Sequence, residues 1–359
     1  MKEGKLIYYY GIDLLKIIAM MMITGHHVLG HGGILASAHG VNYGIACFME
    51  TMCYCGVDCY ALISGFLCYG RKRRLSRYLT LWMQTVFYCL IITLIFKVTM
   101  LDTVGISDIV KSALPVTFNQ YWYFSAYTGM FLLMPILNMF AEKLNTPSTK
   151  RMLLLCFLIF SCYATICSRW SDPFKLNGGY SCVWLSILYF IGAVVRKYEL
   201  QKRVDKRKIM AGILGLVLFT WIWKISIGPM LGHGLDGLFL SYTSPTVLGI
   251  AVGMLLVFSN KNLKHGKITR FIASSTFGVY LLQDQGLFSK NILTDKLAFI
   301  AELNPGMMVL SVTGCILLLF TCGILMDKIR AFLFKVFKIN SLALAAEKAE
   351  KGLTEKLIN

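Results

Sequence analysis

Ile12-Asp13-Leu14-Leu15-Lys16-Ile17-Ile18-Ala19-Met20-Met21-Met22-Ile23-Thr24-Gly25-His26-His27-Val28-Leu29-Gly30 is the stretch from which the rest of the chain can be read. It is long and apolar enough to cross a hydrocarbon core about 30 Å thick, yet it carries Asp13, Lys16 and two histidines. An ionisable group in lipid is costly, so its presence marks a function. A helix turns about 100° per residue, which returns Lys16 and His27 to nearly the same angle, with Asp13 about 40° off that line. At about 1.5 Å per residue His27 stands roughly 16 Å above Lys16, near mid-membrane if Lys16 lies at one surface. A titratable ring there can move protons. His26 points about 100° away, so the two rings are not expected to serve one site, and His27, on the Asp13/Lys16 face, is preferred. The plainer reading of His27 is a packed, hydrogen-bonded side chain.

The same character extends along the chain, which is 57% hydrophobic and 15% charged, with a mean hydropathy of +0.64. Apolar runs of spanning length fall near 12–30, 45–69, 79–101, 121–140, 152–170, 180–196, 209–226, 243–260, 272–289 and 306–327. The expected fold is an all-α polytopic membrane helix bundle of about ten transmembrane helices. Cytoplasmic loops retain lysine and arginine, and these collect after alternate spans. Arg71, Lys72, Arg73, Arg74 and Arg77 follow the second, Lys143, Lys150 and Arg151 the fourth, and Arg196 to Lys208 the sixth. Lys261 to Arg270 and the tail from Lys328 complete the series. Both termini are therefore expected in the cytoplasm, and the plasma membrane is the expected location.

The net charge of +18 sits in short juxtamembrane loops, where topology and anionic lipid headgroups account for it without nucleic acid. Lys2 and Lys5 before an apolar run, with Ala36-Ser37-Ala38 beyond it, imitate a signal peptide. A signal would be cut close behind its hydrophobic segment, so this one is read as a retained helix. The 12 cysteines show no CxxC pairs of the zinc kind, and no metal is expected. Cys167 and Cys182 bracket one external loop and are the candidate disulfide. Residues 1–330 form the expected transmembrane unit. Residues 331–359, with Phe332, Phe334, Val336 and Phe337 among lysines, read as a basic amphipathic helix anchored along the membrane surface. No internal repeat of the transporter kind is visible.

Three further clusters carry polar groups into apolar runs. Gly56-Val57-Asp58 precedes Leu62-Ile63-Ser64-Gly65-Phe66. Asp58 lies roughly 20 Å along the helix from Arg71, at a depth comparable with His27, and a carboxylate there needs a partner. Ser64 and Gly65 also suit close helix packing. Gln120-Tyr121-Trp122-Tyr123-Phe124, with Ser125, Tyr127 and Pro135, is either an interfacial aromatic belt or a platform for a sugar, on which Trp122, Tyr123 and Tyr127 would bind substrate. Ser274-Ser275-Thr276-Phe277-Gly278-Val279-Tyr280 leads to Gln283-Asp284. Tyr280 and Asp284, one turn apart, share a face that can line a polar cavity or join helices.

Taken in order, these motifs resemble the acyltransferase-3 family of integral membrane acyltransferases. The resemblance rests on Ile12 to Ala19 with His27, Gly56-Val57 with Ile63 to Phe66, Trp122-Tyr123-Phe124 with Tyr127 and Pro135, and Phe277 to Leu281. It implies transfer of an acyl group, commonly acetyl, from cytosolic acyl-CoA to hydroxyls of cell-surface glycans, lipids or peptidoglycan, with His27 catalytic. In that reading Asp58 or Asp13 orients the His27 ring. Acyl-CoA is a donor substrate, with no tightly bound cofactor, and its phosphates meet Lys16, Arg71, Arg73 and Arg74. Tyr280 and Gln283 join the aromatic run in binding a glycan or lipid-linked saccharide. Two positions depart from the family pattern: Lys16 replaces an arginine, losing its planar fork, and Gln283 replaces a histidine. The rival from another class is a proton-coupled transporter in which His27, Asp58 and Lys16 form a relay. A sensor's membrane domain has no attached signalling module to support it.

Overall fold

Helices make up the regular structure of the described residues, which are 8–100, 104–232, 234–261 and 266–358 in this computed structural model. The longer elements are α1 (Tyr10–Leu29), α2 (Gly40–Cys53), α3 (Gly56–Cys68), α4 (Leu75–Thr99), α5 (Trp122–Lys143) and α6 (Thr146–Cys167). They continue as α7 (Cys182–Lys197), α8 (Lys206–Leu231), α9 (Pro245–Ser259), α10 (Thr276–Gln283), α11 (Pro305–Val336) and α12 (Ile339–Ile358). Among the described residues seven helices are long and apolar enough to cross a membrane, α2 and α3 counting as one run. The other three expected spans correspond to α7, α9 and α10, which are shorter.

The differences in length have local causes. The second expected span is interrupted at Tyr54 and Cys55, where Gly56 starts α3 so close to α1 that a Cβ would lie 2.7 Å from the Ala19 carbonyl oxygen. The ninth is not one helix. Gln285 leaves the helical region, and its side chain accepts the Phe288 N–H at 2.9 Å, starting a new turn. That break holds Asp284 at the end of α10 instead of inside a continuous span. Cys167 and Cys182 are free thiols, so the expected disulfide is not formed.

α7 and α3 cross at the centre. A Cβ on Gly65 would lie 1.9 Å from the Tyr189 carbonyl oxygen, and one on Gly192 would lie 2.1 Å from that of Leu62. The packing reading of Gly65 is the one the structure realises, since only a missing side chain lets two backbones approach this closely. α1 and the α2–α3 run are enclosed over 61% of their apolar windows, against 11% for α8, so the histidine helix is an inner element and α8 a peripheral one.

The cationic segments meet at one end. Arg196 stacks over Tyr9 and Arg270 over Tyr8, Lys197 donates to the Ala141 and Leu144 carbonyls, and Lys206 donates to that of Asn260. At the same end α12 doubles back from Lys338, whose φ is 52°, and docks on the start of α4. The expected boundary at 330 falls inside α11, which runs unbroken to Val336. At the other end the chain after α1 is tied down by Asp295 N–H to the His31 carbonyl at 2.9 Å, and by Asn42 to the carbonyls of Ala301 and Leu303.

Candidate functional site

On α1, Lys16, Met20, Ile23 and His27 follow one another at helical spacing and form a single stripe. Two cavities lie along it and a third adjoins them. The first, about 220 Å³, is walled by Met20, Ile23 and His27 from α1 and by Trp122, Tyr123, Tyr280 and Asp284 from other helices. The second, about 310 Å³, holds Lys16, Ser64 and Tyr127. The third, about 520 Å³, is lined by Arg71, Lys72, Arg73, Arg74 and Arg77, with Tyr78, Phe131 and Asn138. The first two share Tyr60, Tyr123 and Phe277, and the last two share Leu81 and Tyr127. The cationic loop, Lys16 and His27 are thus joined by adjoining hollows through the bundle.

At the histidine end His27 is buried, 8% exposed. Its Nε2 faces Asp284 Oδ1 at 4.0 Å, and its Nδ1 is buried without a protein partner among the described residues. A buried ring nitrogen without a partner is an uncommon and costly arrangement. His31 stands with its ring 5.1 Å from that of His27. His26, expected to point elsewhere, lines the same cavity, its ring 6.3 Å from His27 and 4.9 Å from Tyr54. The expectation that the two neighbours serve separate sites is corrected because the hollow wraps around the end of α1, so a turn of about 100° does not leave it.

The carboxylates fall differently from expectation. Asp58 is fully buried and accepts a hydrogen bond from Trp184 Nε1 at 3.2 Å, which makes its partner an indole on α7 and not His27. Asp13 accepts from Lys16 at 3.0 Å and from Tyr8, and it lies fourteen residues before His27 on one helix, roughly 21 Å away. Neither reaches the imidazole. The carboxylate that faces it is Asp284, which the pairing with Tyr280 had marked only as a cavity residue.

The aromatic residues gather more tightly than the run around Trp122 implied. Trp122 and Tyr123 line the histidine cavity, joined by Tyr180 and Tyr242 from two loops, whose rings lie 4.3 and 5.9 Å from Trp122. Tyr127 belongs to the middle and cationic cavities instead. Gln283 is buried and donates to Met20 Sδ at 3.8 Å. It stands behind the cavity wall, where it can steady Met20 but does not itself line the hollow, which corrects its expected place as a substrate contact. Nothing in the local sequence marked Tyr180 or Tyr242, because single tyrosines in loops carry no spacing signal.

Beneath α10 a polar cluster fixes the element that carries Tyr280 and Asp284. Asp327 on α11, 1% exposed, accepts from Arg330 Nη2 at 2.7 Å and from Gln84 at 2.8 Å. A Cβ on Gly278 would lie 2.4 Å from its Oδ1. Pairing and hydrogen bonding offset the cost of burying these charges. They also set the height of α10 against α11, because Gly278 leaves no slack.

These features define a class: a multi-pass helical membrane protein whose intramembrane histidine opens into a chain of cavities ending in a basic loop. A family model described as an acyltransferase domain, acyltransferase-3, matches residues 9–326, and the chain belongs to that family. It is an acyltransferase carried by a membrane protein. No curated protein and no solved structure matches it.

Proposed function

We propose that the protein moves an acyl group, acetyl in size, from cytosolic acyl-CoA to a hydroxyl of a cell-envelope glycan or lipid-linked saccharide. The observation that carries this reading is the line of adjoining cavities from Arg71, Arg73 and Arg74 past Lys16 to His27. Several guanidinium groups around one hollow suit the phosphates of the donor, in charge and in hydrogen-bond geometry. The middle cavity, smaller than the cationic one, suits the pantetheine arm, and the small aromatic cavity suits a thioester and one hydroxyl-bearing ring. With the positive-inside rule assigning the basic end to the cytoplasm, donor and acceptor approach from opposite sides of the plasma membrane.

In this mechanism the His27 imidazole takes the proton of the acceptor hydroxyl as its oxygen attacks the thioester carbonyl carbon. The new C–O bond forms, the C–S bond breaks, and the departing thiolate receives the proton from the imidazolium. Asp284, whose carboxylate lies 4.0 Å from Nε2, stabilises the charged form of the ring as the proton is taken.

The test is release of free CoA by purified protein given acetyl-CoA and an envelope glycan or lipid extract, native chain against His27→Ala of equal folding and yield. General-base help is worth about 10² to 10⁴ in rate, so the variant is expected to lose at least a hundredfold. Equal release by both proteins would remove His27 from the chemistry. No release by either, with competent donors and acceptors supplied, would favour the proton-coupled transporter.

A further inference from the structure

The rim of the cationic cavity is already in contact with carboxylates of the chain itself. Arg73 Nη2 is 2.8 Å from Glu350 Oε1 of α12, while its guanidinium lies 5.4 Å from the ring centre of Phe131, another wall of the same cavity. One helical turn earlier, Glu347 Oε2 accepts the Ser76 backbone N–H at 3.0 Å in the first turn of α4, and Lys351 holds its other oxygen at 2.8 Å. Ala343 is wholly buried, and Glu347 is 8% exposed, so this is a docked face of α12 and not a passing contact. Two acidic groups thus sit on one guanidinium and one helix-start N–H, the two kinds of group that bind phosphate oxygens.

We infer that α12 is an autoinhibitory strap whose Glu350 occupies a donor-phosphate contact of the cationic cavity, Arg73, and is displaced when acyl-CoA enters, while Glu347 docks the strap on the start of α4. The inference rests on the proposed reading of that cavity as the donor site. Its physical basis is competition for Arg73. The ion pair is partly exposed, at 29% and 36% for the two side chains, and a pair of that kind is worth little, so a polyanion can replace it. The turn at Lys338, held in the left-handed region, is the point about which the strap would swing. A strap of this strength tunes donor affinity and leaves the chemical step alone.

The experiment uses the full-length chain in lipid nanodiscs, as native, Glu350→Gln, and Glu347→Gln with Glu350→Gln. Two quantities are read: KM and kcat for acetyl-CoA from CoA release, and hydrogen exchange of the α12 backbone with and without CoA. The expected result is a KM lowered about two- to fivefold by the single change and further by the double, with kcat unchanged and α12 exchange accelerated by CoA in the native chain. A KM that stays or rises, with α12 exchange unmoved by bound CoA, would overturn the strap and leave α12 a structural clamp. CoA bound but acetyl-CoA not turned over would sink the acyltransferase chemistry, and α12 exchange would still decide the strap. CoA neither bound nor turned over would overturn the donor-site reading and the strap with it.

Discussion

The cationic cavity and the histidine cavity are built on opposite principles. Four of the five basic residues of the first are consecutive, Arg71 to Arg74, and the fifth, Arg77, is one turn into α4. Its counterpart draws His27 from α1, Trp122 and Tyr123 from α5, Tyr280 and Asp284 from the end of α10, and Tyr180 and Tyr242 from separate loops. Charge can be massed locally because a loop at the membrane surface solvates it. A buried imidazole inside a bilayer has to be surrounded by groups from many helices, since one helix presents only a narrow face to any cavity. The first region is therefore suited to capturing a polyanion with tolerance in position, and the second to holding a few atoms in fixed geometry.

That contrast can be broken from either side. The largest effect beyond His27 itself is expected at Asp284. Asp284→Asn keeps the shape but removes the charge facing Nε2, so kcat for CoA release should fall by at least about tenfold, equivalent to about 1.4 kcal/mol of transition-state stabilisation, with KM for acetyl-CoA little changed. A normal kcat in this variant would show that His27 needs no carboxylate. At the other cavity, Arg71→Gln with Arg73→Gln removes charge-assisted contacts without touching the imidazole. KM for acetyl-CoA should rise about tenfold with kcat retained, and a loss confined to kcat would mean that the basic loop acts on the chemistry. The smallest effect is expected at Asp58→Asn, which weakens the Trp184 hydrogen bond. It should cost stability of about 1 kcal/mol, seen as a lower Tm, and leave kcat unaltered. A collapse of kcat there with Tm intact would restore Asp58 as the group that acts on His27.

How far the sequence was legible follows the same division. His27, Lys16 and Arg71 to Arg77, which line the three cavities, stood out in the sequence because each is an ionisable residue in, or immediately beside, an apolar run, where its presence already demands a reason. Gly65 was legible as a packing position, and Gly65 indeed meets the Tyr189 backbone. Asp58 and Asp13 were judged by depth and helical angle, and neither quantity says which neighbouring helix supplies the partner. Trp184 took Asp58, and Lys16 with Tyr8 took Asp13. His26 was set aside on an angular argument that holds for a flat helix face and fails for a hollow that wraps around the helix end.

By itself the sequence determined the class of protein: helices long and apolar enough to cross a membrane, basic segments after alternate spans, and a histidine where lipid makes one expensive. Those are local quantities, set by each residue's free energy of transfer and by the period of the helix. Only the tertiary structure decided that Asp284 faces His27, that two hollows on the α1 stripe adjoin a third at the basic loop, and that α12 returns to Arg73. Each of these depends on helix crossings and breaks, such as α3 against α7 at Gly65 and the end of α10 before Gln285. There the balance lies between contacts of residues distant in sequence, and no window along the chain contains it.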